Sequence, residues 1–385
     1  MISPTKPSEP GTAFPSAELH EVISAPKLSE RLPSLDGWRA VSIIMVLGAH
    51  CSFVAGFPER LATPFRWLFD GGLGVRFFFV ISGFLITWLL LLEHDRLGRA
   101  SLKAFYIRRA FRILPVYYAY LLVIALLQAL TPYSQDARSW AGNLTFTTNF
   151  LGSQFTTAHL WSLSTEEQFY LLWPGLFVIF SVAAEHRRAL RILAVPVLLA
   201  PLCRVIGYKS YPSFLVPLCQ GFSFFKFFDS LAVGCAAAIL LARSRQFLKE
   251  RLEDRPRRMF GLGLTLILVP YVLMKLGWLR QLTVPFGDSA QAVGFASLLL
   301  LSVLHPEWRL WRALNWPLVA RLGVLSYSIY IWHNLFCSPS TQFGLRSVWW
   351  MSFPGWLLPV LLVSFVSYYG LERPFLRLRA RFRNV

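Results

Sequence analysis

The sequence predicts an all-α fold, a polytopic transmembrane bundle of about ten helices with both termini cytoplasmic, and three observations carry the prediction. The 385-residue chain is 55% hydrophobic and 16% aromatic but only 15% charged, whereas about a quarter of the residues in a soluble domain are charged. Apolar runs of roughly 17 to 20 residues, enough to cross the hydrocarbon layer, recur along its length. Basic residues collect in alternate loops, with seven between Arg243 and Arg258 and five arginines from Arg373 onward, and an excess of Lys and Arg marks the cytoplasmic side.

Residues 1–30 are rich in Pro, Ser and Glu and lack an apolar core. They read as a disordered cytoplasmic tail, neither signal peptide nor span, ahead of one integral membrane domain over 31–385. The first span is expected at 37–55 and holds Arg39 and His50; the second, 75–93, holds the small pair Ser82-Gly83, which lets helix backbones approach in lipid. The third, 113–131, follows the basic segment that ends at Arg112. The fourth, 166–184, is expected to start from Ser164 as N-cap, with Glu166 and Glu167 in its first turn. The fifth and sixth fall at 191–208 and 224–243, and Lys226 and Asp229, three apart, are expected to neutralise each other. The remaining spans are expected at 259–276, 289–305, 318–338 and 353–372. Pro374 is expected to end the last helix, with Glu372 paired to a neighbouring arginine.

The net charge of +18 is first a topology signal. Its dispersal over several loops on one side of a membrane argues against nucleic-acid binding. Five cysteines, odd in number, scattered and without a C-x-x-C pair, imply neither a disulfide framework nor a zinc site, and no metal is expected.

Ionisable groups inside the spans are the candidates for chemistry, because a lipid-facing charge costs about 2.5 kcal/mol or more. Arg39 and His50 are eleven residues apart, so a helix returns them to within roughly 20° of one face and about 16 Å apart in depth. A snorkelling Arg39 and a satisfied interior His50 would explain the same pattern. Arg76, near the outer interface, is expected to snorkel. Arg108 and Arg112 share a helix face beside Arg109; three guanidinium groups suit phosphate recognition, and equally suit anchoring to anionic headgroups. The outer loop 132–165 carries Asn143, Asn149, His159 and Trp161 with few charges, a composition that fits a hydroxylated acceptor or an interfacial aromatic belt. His333 falls at a depth close to that of His50.

Taken together, these segments resemble the acyltransferase 3 family of integral membrane proteins, which includes O-antigen and other cell-surface polysaccharide O-acetyltransferases. The resemblance runs from Leu35 onward. It rests on Leu-Asp-Gly-Trp-Arg39 with His50, Phe-Phe-Phe-Val-Ile-Ser-Gly-Phe-Leu-Ile, Arg-Arg-x-x-Arg-x-x-Pro115, Trp-Ser-Leu-Ser-x-Glu-Glu-Gln-Phe-Tyr, Ser-Tyr-x-x-Tyr-x-x-His333 and Glu-Arg-Pro-Phe.

The resemblance implies transfer of an acyl group, most commonly acetyl, from cytoplasmic acyl-CoA to an extracytoplasmic hydroxyl, in the plasma (inner) membrane. It makes His50 the catalytic histidine, Arg39 its partner, Glu166 the family's acidic position, and Arg108, Arg109 and Arg112 the contacts to the acyl-CoA phosphates. His159, Trp161, Asp229 and His333 are expected on the acceptor side. No permanently bound cofactor is expected; the partners are acyl-CoA, membrane lipids and a glycan, glycolipid or small hydroxylated acceptor. Many relatives have an acidic residue where this chain has Arg76, and some carry a fused soluble esterase-like domain without which this chain is expected to work. A neutral imidazole at position 50 would serve as general base or as nucleophile through an acyl-histidine. A transporter or channel lined by the same polar residues is the alternative from another class.

Overall fold

A computed structural model describes residues 34–209, 216–244 and 255–379, with Leu32, Leu248 and Glu250. The expected N-terminal tail and the end of the arginine-rich C-terminal segment lie outside the described residues. Helices account for nearly all regular structure, and among the described residues there is no strand, only an isolated bridge between Ala55 and Ser352.

In chain order the helices are α1 (Leu35–Cys51), α2 (Glu59–Leu68), α3 (Gly71–Leu97) and α4 (Leu102–Leu130), followed by the short α5 (Ala137–Leu144), α6 (Thr148–Leu151) and α7 (Phe155–Ala158). Next come α8 (Leu160–Ile179), α9 (His186–Lys209), α10 (Val216–Cys219), α11 (Phe224–Arg243), α12 (Pro256–Leu276) and α13 (Arg280–Leu304). The chain closes with α14 (Arg309–Leu314), α15 (Pro317–Cys337), α16 (Leu357–Ser367) and α17 (Arg373–Arg379). Each of the ten expected segments overlaps a helix, although the first and fourth run past the ends of α1 and α8 and the last begins ahead of α16. Six stretches are long and apolar enough to cross a membrane by length and composition: Glu59–Leu97, which contains α3, and α4, α9, α11, α12 and α13.

The last helix departs from expectation. Pro374 does not end it: α16 passes through a π-helical turn, Tyr368–Glu372, and continues as α17. A proline removes one i→i−4 hydrogen bond and its ring crowds the carbonyl four residues back. The wider turn just before Pro374 is the form in which a helix accommodates such a mismatch.

Helix α3 is the centre of the bundle, with Phe77, Phe79, Val80, Ile81, Phe84 and Leu91 all buried. Gly83 of the expected close-approach pair does bring backbones together, since a Cβ there would collide with the Leu231 carbonyl of α11, and one on Gly234 would collide with the Val80 carbonyl of α3. Such contacts let dispersion hold helices where lipid offers no hydrophobic driving force. Helix α1 is locked likewise, Gly37 against the Leu314 carbonyl and Gly323 of α15 against the Asp36 carbonyl. The periphery is apolar and exposed, as at Leu122, Leu130, Leu171 and Leu198, the composition a lipid-facing belt requires. Outside the spans, Asp136 caps α5 by accepting from the Ser139 N–H at 2.7 Å, and its hydrogen bonds with Ser139 hold the carboxyl below its ordinary range.

Gly83→Ala is expected to lower the melting temperature of the detergent-solubilised protein through an overpacking cost of about 1–3 kcal/mol. The same substitution at the open position Gly175, where a Cβ meets nothing within 4 Å, is expected to leave it unchanged or raised.

Candidate active site

Six helices, α1, α3, α4, α8, α15 and α17, line a cavity of about 530 Å³. Its wall changes character along its length. At the mouth stand Arg96 from the end of α3, Arg108, Arg109 and Arg112 from the first turns of α4, Arg379 from α17 and Arg39 from α1. Apolar side chains, Val75, Phe78 and Phe79, line the deeper part, and Ser162 and Tyr330 close it.

The arginines are held in different ways. Arg108 donates to Glu93 at 2.5 Å, and Arg39 lies 3.9 Å from Asp36 one turn earlier on α1. Arg109 stacks its guanidinium 3.5 Å from the centre of the Tyr170 ring and leaves its buried Nε without a hydrogen-bond partner. That geometry orients a planar cation toward the cavity without neutralising it. The expected pairing of Glu372 with an arginine is replaced by a hydrogen bond from the Ser328 hydroxyl at 2.9 Å, with Arg112 and Arg39 within electrostatic reach.

Glu166 faces this cavity, but not for the reason its position suggests. Helix α8 begins at Leu160, and Ser164 turns its hydroxyl back to the Leu160 carbonyl at 3.1 Å instead of capping the helix. Both glutamates therefore sit within the helix, and capping accounts for neither. Glu166 accepts from the Ser82 hydroxyl at 2.8 Å and the Tyr170 hydroxyl at 3.3 Å; its hydrogen bonds go to these two side chains and not to His50.

Three histidines, from α1, α15 and the turn between α7 and α8, form a row. The His50 and His333 rings are 4.8 Å apart and nearly perpendicular, and His333 and His159 follow at 5.1 Å. Each ring has one nitrogen against a backbone carbonyl: His50 Nδ1 at 2.9 Å from Val46, His333 Nδ1 at 2.7 Å from Tyr330 and His159 Nε2 at 3.0 Å from Ile331. A carbonyl oxygen can only accept, so in the neutral ring that nitrogen carries the proton and the other keeps its lone pair. His50 Nε2 is thus the basic atom. In the same way His333 Nε2 and His159 Nδ1 are bare, and both are buried without a partner. Among the described residues no group of three or more His, Cys, Asp or Glu has an arrangement able to hold a metal.

The row does not line the cavity. It lies beyond Tyr330, whose ring is 5.5 Å from that of His333 and 5.6 Å from that of His159. Sequence reasoning singled out all three histidines but carried Tyr330, Ser162 and Tyr170 only inside longer motifs and gave them no role, because a tyrosine or serine in an apolar helix reads as core.

The other polar candidates lie elsewhere. Asp229 is fully buried in a cluster between α3, α9, α11 and α13, bonded to Arg204 at 2.7 Å and to the Ser289 hydroxyl at 2.5 Å. Lys226 is not its partner and donates instead to the Gly221 carbonyl at 2.9 Å. Arg76 does not snorkel. It is buried in the same cluster, 2.8 Å from Asp288 and hydrogen-bonded to Gln291. Trp161 stacks on Phe222 at 4.4 Å and packs against Phe227.

An α-helical membrane protein with an arginine-lined internal cavity, backed by a row of buried histidines, is the class that fold and site define. The chain belongs to the acyltransferase 3 family: a family model described as an acyltransferase domain matches residues 32–369. It is 27% identical over 369 residues to "Putative peptidoglycan O-acetyltransferase YrhL" of Bacillus subtilis, covering 89% of this chain and 54% of that protein. It is 25% identical over 322 residues to "Peptidoglycan O-acetyltransferase OatA" of Listeria monocytogenes, covering 78% and 49%. The chain spans about half the length of the curated relatives it matches. No solved structure matches it significantly.

Asp229→Asn removes the charge opposite a buried guanidinium and is expected to destabilise the bundle by about 3–5 kcal/mol. Thermal unfolding in detergent should register that loss, while the acceptor KM of the remaining folded protein stays at the wild-type value.

Proposed function

We propose that the chain is a membrane O-acyltransferase that carries an acetyl group from acyl-CoA to a hydroxyl of a cell-wall glycan. The observation that carries this reading is the cavity itself, arginine-lined at its mouth and closed at its far end by Tyr330, against whose ring the histidine row that includes His50 begins. Membership of the acyltransferase family supports the reaction, and the names of the relatives support the acceptor class. Ten spans with both termini in the cytoplasm of a plasma membrane complete the proposal, with the basic mouth facing the cytoplasm.

In this reading the acyl-CoA phosphates engage Arg108, Arg109 and Arg112, since guanidinium groups bind phosphate through paired hydrogen bonds. Arg109 lines the cavity with its guanidinium held against the Tyr170 ring. The pantetheine arm follows the apolar wall past Phe78 and Phe79. The acceptor arrives from the other face, where α1 ends at Cys51. His50 Nε2 takes the proton of the acceptor hydroxyl while the oxygen attacks the thioester carbonyl. The C–S bond then breaks, and the thiolate leaves along the cavity and recovers the proton from His50. Glu166, held by Ser82 and Tyr170, offsets part of the positive charge of Arg109 and Arg39 on the cavity wall.

His50→Ala is expected to lower acetyl transfer about 10²–10⁴-fold, the usual contribution of a general base. Mass spectrometry of acetyl esters formed by purified protein in vesicles, supplied with acetyl-CoA and glycan, checks this. Solute movement without thioester consumption would overturn the proposal in favour of transport. Arg109→Ala is expected to raise the KM for acetyl-CoA about tenfold or more with little change in kcat, as loss of a charge-assisted hydrogen bond does; steady-state kinetics over a donor range read it directly.

A further inference from the structure

We infer that Tyr330 is the barrier between the cavity and the histidine row, a positioning residue that must swing aside before anything in the cavity can reach His50. The inference rests on the proposed function only for what the barrier serves. Its geometry stands without it.

Tyr330 lines the cavity at the end far from the arginines, together with Ser162. Its hydroxyl is held from two sides, by the Ser162 hydroxyl at 2.5 Å and by the His159 carbonyl at 2.9 Å. The hydroxyl donates to the carbonyl and therefore accepts from Ser162. Behind the ring stand His333 and His159, and Phe78 meets it at 6.2 Å from the cavity side. His333 is the next residue along this face of α15, three positions on, and His50 lies 4.8 Å from it.

Both hydrogen bonds are made to α8 or to the residue just before it, so displacement of α8 from α15 by about an ångström would break them together. A hydroxyl bonded on both sides stays in one rotamer while its partners are fixed. Closed, the ring separates a thioester in the cavity from the base and from water at the far face. Opened, it joins the two compartments. Asymmetry between them is built in, because the arginines stand at one end of the path and the imidazoles at the other.

The test places a thiol behind the barrier. Cys51, Cys203, Cys219, Cys235 and Cys337 are replaced by serine or alanine, and His50→Cys is introduced into protein in vesicles of either orientation. A membrane-impermeant maleimide is then applied to the face bearing the basic mouth. With Tyr330 intact, labelling from that face is expected to be slow. Tyr330→Ala should accelerate it about tenfold or more, and Tyr330→Phe or Ser162→Ala, which keep a ring in place but loosen it, should give a smaller rise. Unchanged labelling in Tyr330→Ala protein with the parental melting temperature overturns the inference, as does fast labelling with Tyr330 in place. Should Tyr330→Ala unfold the protein, an unchanged rate in both Tyr330→Phe and Ser162→Ala overturns it instead. Acetyl-CoA hydrolysis without acceptor, measured in Tyr330→Ala protein retaining His50, is expected to rise relative to transfer. Labelling that responds in protein with no thioester chemistry would leave the barrier standing and remove the proposed function.

Discussion

A guanidinium inside a lipid-immersed bundle has to meet a carboxylate or border a polar cavity, and this constraint sorts the arginines of the chain into two sets. Arg76 and Arg204 meet Asp288 and Asp229 in a closed cluster that joins α3, α9, α11 and α13. Each positive charge there has a negative one beside it, and the cluster is charge-neutral. Arg39, Arg109 and Arg112 instead border the cavity between α1, α3, α4, α8, α15 and α17. Of the carboxylates near them, Asp36 lies 3.9 Å from Arg39, while Glu166 and Glu372 are each held by serine or tyrosine hydroxyls. Opposite charges are therefore in direct contact in one half of the molecule and more loosely arranged around a cavity in the other.

That division depends on how the helices pack. The contacts made by Gly83 and Gly234 bring α3 and α11 so close that no side chain separates their backbones. On the opposite side of α3 the arginines of α4 and the tyrosines of α8 and α15 keep the helices apart, and the cavity is the space that remains. Arg109 over the Tyr170 ring shows how the spacing is kept, since stacking a cation on an aromatic face satisfies both without filling the gap with a counter-charge. A single helix, α3, supplies the small residue that closes one side and Ser82, next to it in sequence, that holds Glu166 on the other.

Hydropathy made the helical segments legible, because a span is a long apolar run and little else in a sequence looks like one. Partners were harder to read. Lys226 is three residues from Asp229 and looked like its neutraliser, but Arg204 on another helix takes that place, and no local spacing encodes a contact between helices. The start of α8 was misplaced for a related reason: Ser164 before two glutamates has the pattern of a cap, whereas the helix already runs from Leu160 and the serine bonds back within it. Candidate residues with unusual chemistry could be named one at a time. Their assembly could not, since His50, His159 and His333 meet through the packing of α1, α8 and α15.

The histidine row and the cavity address the same physical difficulty from opposite ends. A pathway that lets a charged donor enter one side of a membrane and a hydroxyl enter the other would, if continuous, also pass water and protons. The cavity stops at Tyr330, and each imidazole behind it has one nitrogen held by a backbone carbonyl, so the rings that fill the space beyond are fixed in place. The two unpartnered nitrogens of His333 and His159 are the cost of that arrangement, since a buried acceptor without a donor loses about 1–3 kcal/mol of solvation. A structural core would replace both rings with apolar side chains and recover that energy. Their presence in a row next to the lone pair of His50 is therefore better explained by what the row must do when the barrier opens than by the stability of the closed state.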